Sequence, residues 1–285
     1  LACQRAPDLG GAVIQALLAQ SGVKPESIDE AVMGCVLGAG IGQAPARQAA
    51  LKGDLPKGVQ AITINKVCGS GLQSIMIAHD HIKAGTVDIA VAGGMESMTN
   101  APYLMPGARK GYRMGTKEIW DHMVYDGLQD AYTGNSMGLY GEATAEKYGF
   151  TRDAQDAFAM ESAKRALNAQ ASGYFDGEIT PITLADGTTL TSDEPPTKVK
   201  LDKISQLKPA FKKDGTLTAA NSSSISDGAA GVLLMSAAKA KGLGLTPLAR
   251  IVGHASFSHG PEWFTTAPIG AIQKLFTKTG WSLKD

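Results

Sequence analysis

Segments typical of strands and segments typical of helices alternate through the first 94 residues. The strand-like runs are 28–37, 59–67 and 87–92, and the helix-like segments are 6–20, 44–51 and 72–82. Consecutive strands that are separated by a helix pair in parallel, because the crossover returns the chain to the same end of the sheet. The alternation therefore predicts an α/β fold with a mostly parallel sheet and helices on both of its faces.

A cysteine stands where the second strand meets the third helix. Residues 59–67 are rich in β-branched side chains, which predicts a buried strand, and the run ends at Cys68. The turn Gly69-Ser70-Gly71 then opens a segment that is apolar on nearly every face, which predicts a helix surrounded by protein. The free amides and the positive dipole end of such a helix favour a thiolate over a thiol.

Cys68 is thus a candidate nucleophile, with one ordinary alternative. A free cysteine is among the most often buried residue types and usually behaves as a small apolar side chain. The flanking Gly69 and Gly71 favour the functional interpretation, because they remove side chains where a ligand would approach the backbone.

Composition excludes several classes of protein. Lys plus Arg and Asp plus Glu number 27 each, so no polyanionic partner such as nucleic acid is indicated. Cys3, Cys35 and Cys68 form no CxxC pair and no metal-ligand spacing, which argues against a disulfide framework or a metal site and for a reducing compartment. With no run of 18 apolar residues and no signal-peptide pattern, we expect no membrane association and a place in the cytoplasm or an organelle matrix.

The alternation stops between residues 97 and 221. Helices are predicted at 136–148 and 152–170, the second capped by Thr151, and the polar stretch 183–208 is predicted to be exposed and irregular. A buried-strand pattern returns at 228–236. The chain is therefore interpreted as one sheet with an insertion between two of its strands, and such insertions often carry the binding surface.

A partial repeat follows. A strand is predicted at 247–255 and a helix at 267–280. At a constant offset of 258 residues this helix matches the opening one in five places: Ile14 with Ile272, Gln15 with Gln273, Leu17 with Leu275, Leu18 with Phe276, and Gly22 with Gly280. The match predicts that a second copy of the same fold begins here.

Several strings resemble those of the thiolases, and among them the acetyl-CoA acetyltransferases. They include NKVCGSGLQS at 65–74, VAGGMESM at 91–98, LKPAFKKDGTLTAANSSSISDGAA at 207–230 and LGLTPLARI at 243–251. The resemblance implies a thiolase-like duplicated fold of α/β/α/β/α layers with an inserted loop domain, and a homodimer or homotetramer. The expected domains are an N-terminal thiolase half at 1–98 and 222–243, a CoA-binding loop domain at 99–221, and the start of an incomplete second half at 244–285.

The resemblance also assigns the chemistry. Cys68 matches the family's acyl-accepting cysteine, which would carry acetyl as a thioester between acetyl-CoA and acetoacetyl-CoA. Coenzyme A would then be substrate and product, with no cofactor and no metal. The family's CoA-contacting positions map onto five residues: Leu128, Met137, Phe211, Ala219 and Ser223. For Leu128 and Phe211, ordinary packing is an equal alternative.

Two departures from the family pattern leave alternatives open. Ser136 stands where many acetyl-CoA acetyltransferases have histidine, so a 3-oxoacyl-CoA thiolase for longer chains is a second interpretation. The family's later catalytic motifs, which hold a histidine and a second cysteine, are not among the 285 residues. We therefore expect a fragment that by itself does not catalyse condensation; a non-catalytic CoA-binding protein is the third interpretation.

Overall fold

The computed structural model describes residues 1–284. The helices are α1 (Ala6–Ser21), α2 (Pro45–Lys52), α3 (Ser70–Ala84), α4 (Met137–Tyr148), α5 (Arg152–Ala171), α6 (Pro195–Lys198), α7 (Ala237–Gly242) and α8 (Ala267–Thr279). The strands are β1 (Glu30–Gly34), β2 (Gln60–Ile64), β3 (Ile89–Ser97), β4 (Tyr103–Leu104), β5 (Trp120–Asp121), β6 (Ile182–Thr183), β7 (Thr189–Leu190) and β8 (Asp227–Met235). None of the helices in this range is long and apolar enough to cross a membrane.

The chain forms two compact units. Unit 1 comprises 1–127, 184–186 and 225–251, and unit 2 comprises 128–183, 187–224 and the residues from 252 onward. The domain limits that the sequence suggests, 1–98 with 222–243, 99–221 and 244–285, stay a prediction.

Unit 1 is built on a sheet with the strand order β2-β1-β3-β8. β1 pairs in parallel with β2 and β3, whereas β8 pairs antiparallel with β3 from Ile89↔Met235 to Ser97↔Asp227. The prediction of a mostly parallel sheet is confirmed. The antiparallel edge strand is the one that follows the long intervening segment.

Helices cover both faces of this sheet, as the alternation predicts. Side chains alternate across β1, so Met33 lies in the core with α1 and α2, and its neighbour Val32 lies in a second core with Ala78 of α3. α1 ends at Gly22, which adopts a left-handed conformation and donates its N–H to Leu18 O. The result is a three-layer α/β/α unit.

The burial predicted for β2, α3 and β8 is wrong in the described residues. β2 lies at the edge of the sheet and is largely exposed, and β8, at the other edge, is half-buried. α3 buries only Ser70, Ser74 and Ala78, and its Leu72 is 68% exposed. An apolar segment favours contact with other protein groups, but its sequence does not show whether the rest of these residues provides a surface that covers it.

The strand predicted at 247–255 is also wrong. These residues have no regular secondary structure, and Leu248 is fully exposed. β-propensity alone does not make a strand, since the ladder needs a neighbour with which to pair. The helix predicted at 267–280 is confirmed as α8, whereas the duplication itself stays a prediction.

Unit 2 contains the two long helices predicted for the intervening segment. Thr151 Oγ1 accepts the N–H of Ala154, which confirms the predicted cap of α5. The turn Pro261–Thr266 packs on α4, where Phe264 meets Tyr140 edge-on and Lys147 Nζ lies 3.8 Å from the ring centroid of Trp263. Residues 183–208 are mostly exposed, as predicted, with only short strand and helix segments.

Candidate active site

Cys68 lies in a five-residue turn between β2 and α3 of unit 1. The turn is closed by backbone bonds in which Gly69 N–H donates to Lys66 O and Ser70 N–H donates to Val67 O, each at 3.1 Å. Val67 has φ +48°, a left-handed conformation that is a genuine outlier for a β-branched residue. The sharp turn leaves the Cys68 thiol exposed rather than packed in a core.

Glycines let the start of α3 approach the sheet closely. A Cβ atom on Gly34, the last residue of β1, would lie 2.6 Å from Ser70 Cβ and 2.8 Å from Gly71 N. A Cβ on Gly94 would lie 3.2 Å from Gly71 Cα. The turn with Cys68 therefore lies at the carboxyl ends of parallel strands, the edge at which open α/β sheets bind ligands.

The helix start also supplies favourable electrostatics. Gly69 is the N-cap of α3, and no side chain within residues 1–284 caps this end. Cys68, the residue before this N-cap, is therefore next in sequence to the first-turn amides and the positive end of the helix dipole. Such a position stabilises negative charge that develops on a bound carbonyl oxygen.

Cys35 has the opposite environment. It is buried, and its Sγ lies 3.7 Å from Glu96 Oε1. Glu96 is held in place by the N–H groups of Val36 and Leu37, each at 2.9 Å. Burial, with the charge of Glu96 and the hydrogen bond to it, raises the pKa of the Cys35 thiol to about 12. Cys35 is therefore a packing residue and not a nucleophile.

We predict that iodoacetamide at mildly alkaline pH alkylates Cys68 and leaves Cys35 unmodified in the folded protein. Only the thiolate reacts, and Cys35 is both buried and protonated under these conditions. Peptide mass spectrometry before and after denaturation measures the labelling, and Cys35 should react only after denaturation. Labelling of native Cys35 as fast as that of Cys68 would contradict the assignment.

The five CoA-contacting candidates all belong to unit 2. Met137 opens α4, and Leu128 ends a π turn, Val124–Leu128; both residues are half-buried. The ring of Phe211 lies against α4, since a Cβ on Gly138 would be 2.2 Å from Phe211 Cγ. Ala219 and Ser223 are exposed in one loop. The structure thus brings Phe211 next to the start of α4, where Met137 lies.

The loop that carries Ala219 and Ser223 is anchored by two buried carboxylates that the sequence analysis missed. Glu142 accepts the N–H groups of Thr216 and Leu217 at 2.9–3.0 Å. Asp156 accepts from Asn221 Nδ2 at 3.1 Å. In the sequence, Glu142 and Asp156 are acidic residues within α4 and α5, and nothing in the sequence identifies their partners far along the chain.

The family model described as Thiolase, N-terminal domain, matches residues 1–238 of this chain. The chain belongs to the thiolase family. This confirms the resemblance carried by the string around Cys68, and the α/β fold of unit 1 is consistent with it.

Individual thiolases align along nearly the whole chain. It is 50% identical to an acetyl-CoA acetyltransferase from Pseudomonas aeruginosa and 49% identical to one from Cupriavidus necator, in each case over 98% of this chain and 72% of the relative. A probable acetyl-CoA acyltransferase from Staphylococcus aureus is 46% identical. The solved structure of the Acat5 thiolase from Ascaris suum, in complex with coenzyme A, superposes with a TM-score of 0.95 at 37% identity, covering 100% of this chain and 74% of that one.

Proposed function

We propose that this protein is an acetyl-CoA C-acetyltransferase that carries acetyl on Cys68 in a ping-pong reaction. The observation that carries the proposal is the exposed thiol of Cys68, presented by a strained turn at the start of α3. The identity of about half the residues to proteins named acetyl-CoA acetyltransferase supports the choice of substrate.

In the first half-reaction the sulfur of Cys68 attacks the thioester carbonyl of acetyl-CoA. The bond between the acetyl carbon and the CoA sulfur breaks, and CoA leaves as its thiol with the proton that Cys68 gives up. The amide of Cys68 and the start of α3 would stabilise the oxyanion that forms on the way. Cys68 then holds acetyl as a thioester.

In the second half-reaction a second acetyl-CoA loses an α-proton, and its carbon attacks the Cys68 thioester. A carbon–carbon bond forms, the bond to Cys68 Sγ breaks, the α-proton ends on that sulfur as the Cys68 thiol, and acetoacetyl-CoA leaves; thiolysis is the reverse. We assign Cys68 the acyl-carrying role, and we assign the proton transfer to no residue in 1–284.

Leu128, Met137 and Phe211 would form apolar contacts to the pantetheine arm, and Ser223 Oγ would bond one of its amides. In this proposal coenzyme A enters and leaves as substrate and product, without a cofactor. The active protein would be a homodimer or homotetramer in the cytoplasm or an organelle matrix, and light scattering of the purified protein measures its assembly.

Replacing Phe211 by alanine is predicted to raise the KM for acetyl-CoA about tenfold with a smaller change in kcat, because the ring would contact the pantetheine arm and not the acetyl group that reacts. The matched control is Phe158→Ala on α5, a phenylalanine that is 79% exposed. Steady-state kinetics and the melting temperature of both variants are the measurements. Equal KM values in the two variants would contradict the assignment of Phe211 as a CoA-contacting residue.

The test of the overall function compares two substrates with the protein as its gene encodes it. CoA-dependent cleavage of acetoacetyl-CoA should have a higher kcat/KM than cleavage of a longer 3-oxoacyl-CoA. Faster cleavage of the longer substrate would favour the alternative, a 3-oxoacyl-CoA thiolase, to which Ser136 in place of the family's histidine points. Binding of CoA without cleavage of either substrate would overturn the enzymatic proposal.

A further inference from the structure

We propose that Ser70 is a positioning residue whose hydroxyl holds the turn that presents Cys68. The inference rests on the proposed acyl-carrying role of Cys68 and extends it to the residue that fixes the sulfur in place. Ser70 opens α3, and only 4% of its surface is exposed.

The hydroxyl of Ser70 connects two residues that precede the cysteine. Lys66 N–H donates to Ser70 Oγ at 2.8 Å, and Ser70 Oγ–H donates to Val67 O at 2.6 Å. The N–H of Ser70 donates to the same carbonyl at 3.1 Å. One residue thus makes three bonds across the turn that contains Cys68, and its hydroxyl makes two of them.

These bonds account for the conformation of Val67. A β-branched residue at φ +48° is strained and persists only where its surroundings impose this conformation. The side chain of Val67 is half-exposed, so packing of that side chain does not impose it. Three hydrogen bonds to its backbone do: the carbonyl of Val67 accepts from the Ser70 hydroxyl and from Ser70 N–H, and the N–H of Val67 donates to Asn65 Oδ1 at 2.9 Å.

Ser70 also packs directly against the sheet. Its Cβ lies so close to Gly34 of β1 that any side chain at position 34 would displace it. The sheet therefore positions Ser70, Ser70 holds Lys66 and Val67, and these residues aim Cys68.

Ser74, one turn further along α3, provides a matched comparison. It is also buried, and its Oγ–H lies 2.6 Å from both Gly71 O and Gly93 O. Its hydroxyl has no bond to the turn that contains Cys68 among the contacts of the described residues. Removal of either hydroxyl deletes two hydrogen bonds of a buried side chain, but only the Ser70 hydroxyl bonds to the turn that contains Cys68.

The experiment measures the rate of Cys68 acetylation by acetyl-CoA and the rate of its alkylation by iodoacetamide in S70A, S74A, V67G and S70A/V67G. We expect S70A to slow both reactions on the order of tenfold or more, since a small misplacement of a reacting atom is costly. S74A should lower the melting temperature by a similar amount and keep both rates within about twofold of wild type. Glycine adopts the left-handed conformation without strain, so removing the Ser70 hydroxyl in the V67G background should change the rates only about twofold.

Equal rates in S70A and S74A, or an undiminished effect of S70A in the V67G background, would overturn the proposal. If the S70A variant does not fold, the proposal requires that the S70A/V67G variant folds. If neither variant folds, the proposal is contradicted. Absence of acetyl on Cys68 in the wild-type protein would instead refute the proposed function. In that case the alkylation rates, which need no acyl donor, still decide whether Ser70 positions the thiol.

Discussion

In the protein as its gene encodes it, replacing Cys68 by alanine is expected to abolish acetyl uptake from acetyl-CoA and to lower kcat for acetoacetyl-CoA cleavage by at least about a thousandfold. The sulfur is the atom that forms the thioester, and alanine supplies no nucleophile. The variant should fold normally, because Cys68 is exposed and its side chain fills no space in a core. The measurements are kcat for cleavage, acetyl incorporation and the melting temperature.

Cys3→Ser is the control for this experiment. Cys3 is likewise exposed, but it lies at the start of the chain and outside the turn. We expect it to retain wild-type turnover. A C68A protein that still cleaves acetoacetyl-CoA at more than a small fraction of the wild-type rate would refute the assignment of the nucleophile.

Replacing Gly34 by alanine is expected to destabilise the protein and to slow the acetylation of Cys68. The new Cβ would lie 2.6 Å from Ser70 Cβ and 2.7 Å from the Ser70 carbonyl carbon, so the start of α3 has to move away from β1. Overpacking of this kind costs about 1–3 kcal/mol. Because Ser70 and Cys68 move with the helix, acetylation of Cys68 should also slow by at least about tenfold. Chemical denaturation and the acetylation rate are the two measurements.

Gly58→Ala separates the effect of crowding from that of glycine replacement in general. A Cβ on Gly58 meets no atom within 4 Å, so this variant should match wild type in both stability and acetylation. Wild-type acetylation in G34A would show that the close approach of α3 to β1 does not control the sulfur.

The sequence predicted the secondary structure of unit 1 well and its burial less well. Alternating segments led to the mixed sheet with helices on both faces, because β-branched runs and 3.6-residue periodicity are local properties. The exposure of β2 and α3 depends on what lies over them, and residues 247–255 lack a paired neighbour; neither property is local. The same limit explains why a run that favours strands formed none.

Cys68 could be identified in the sequence as a candidate nucleophile from its position between a strand and a helix. The residues that hold its turn in place could not be identified in that way. In the sequence Cys35 and Cys68 have similar settings, since each lies within two residues of the end of a strand-like run. Burial beside Glu96 distinguishes Cys35 only in three dimensions. Ser70 contacts Gly34, and Glu142 contacts the loop at Thr216. Each contact joins residues distant along the chain, so no spacing in the sequence predicts it.

The most direct test is to expose the wild-type protein briefly to acetyl-CoA, quench with acid, and map the acetyl group by peptide mass spectrometry. The account predicts one acetyl thioester, on the peptide that contains Cys68, which disappears when free CoA is added before the quench. An acetyl group on another residue, or an unmodified Cys68 in protein that is turning over substrate, would contradict it.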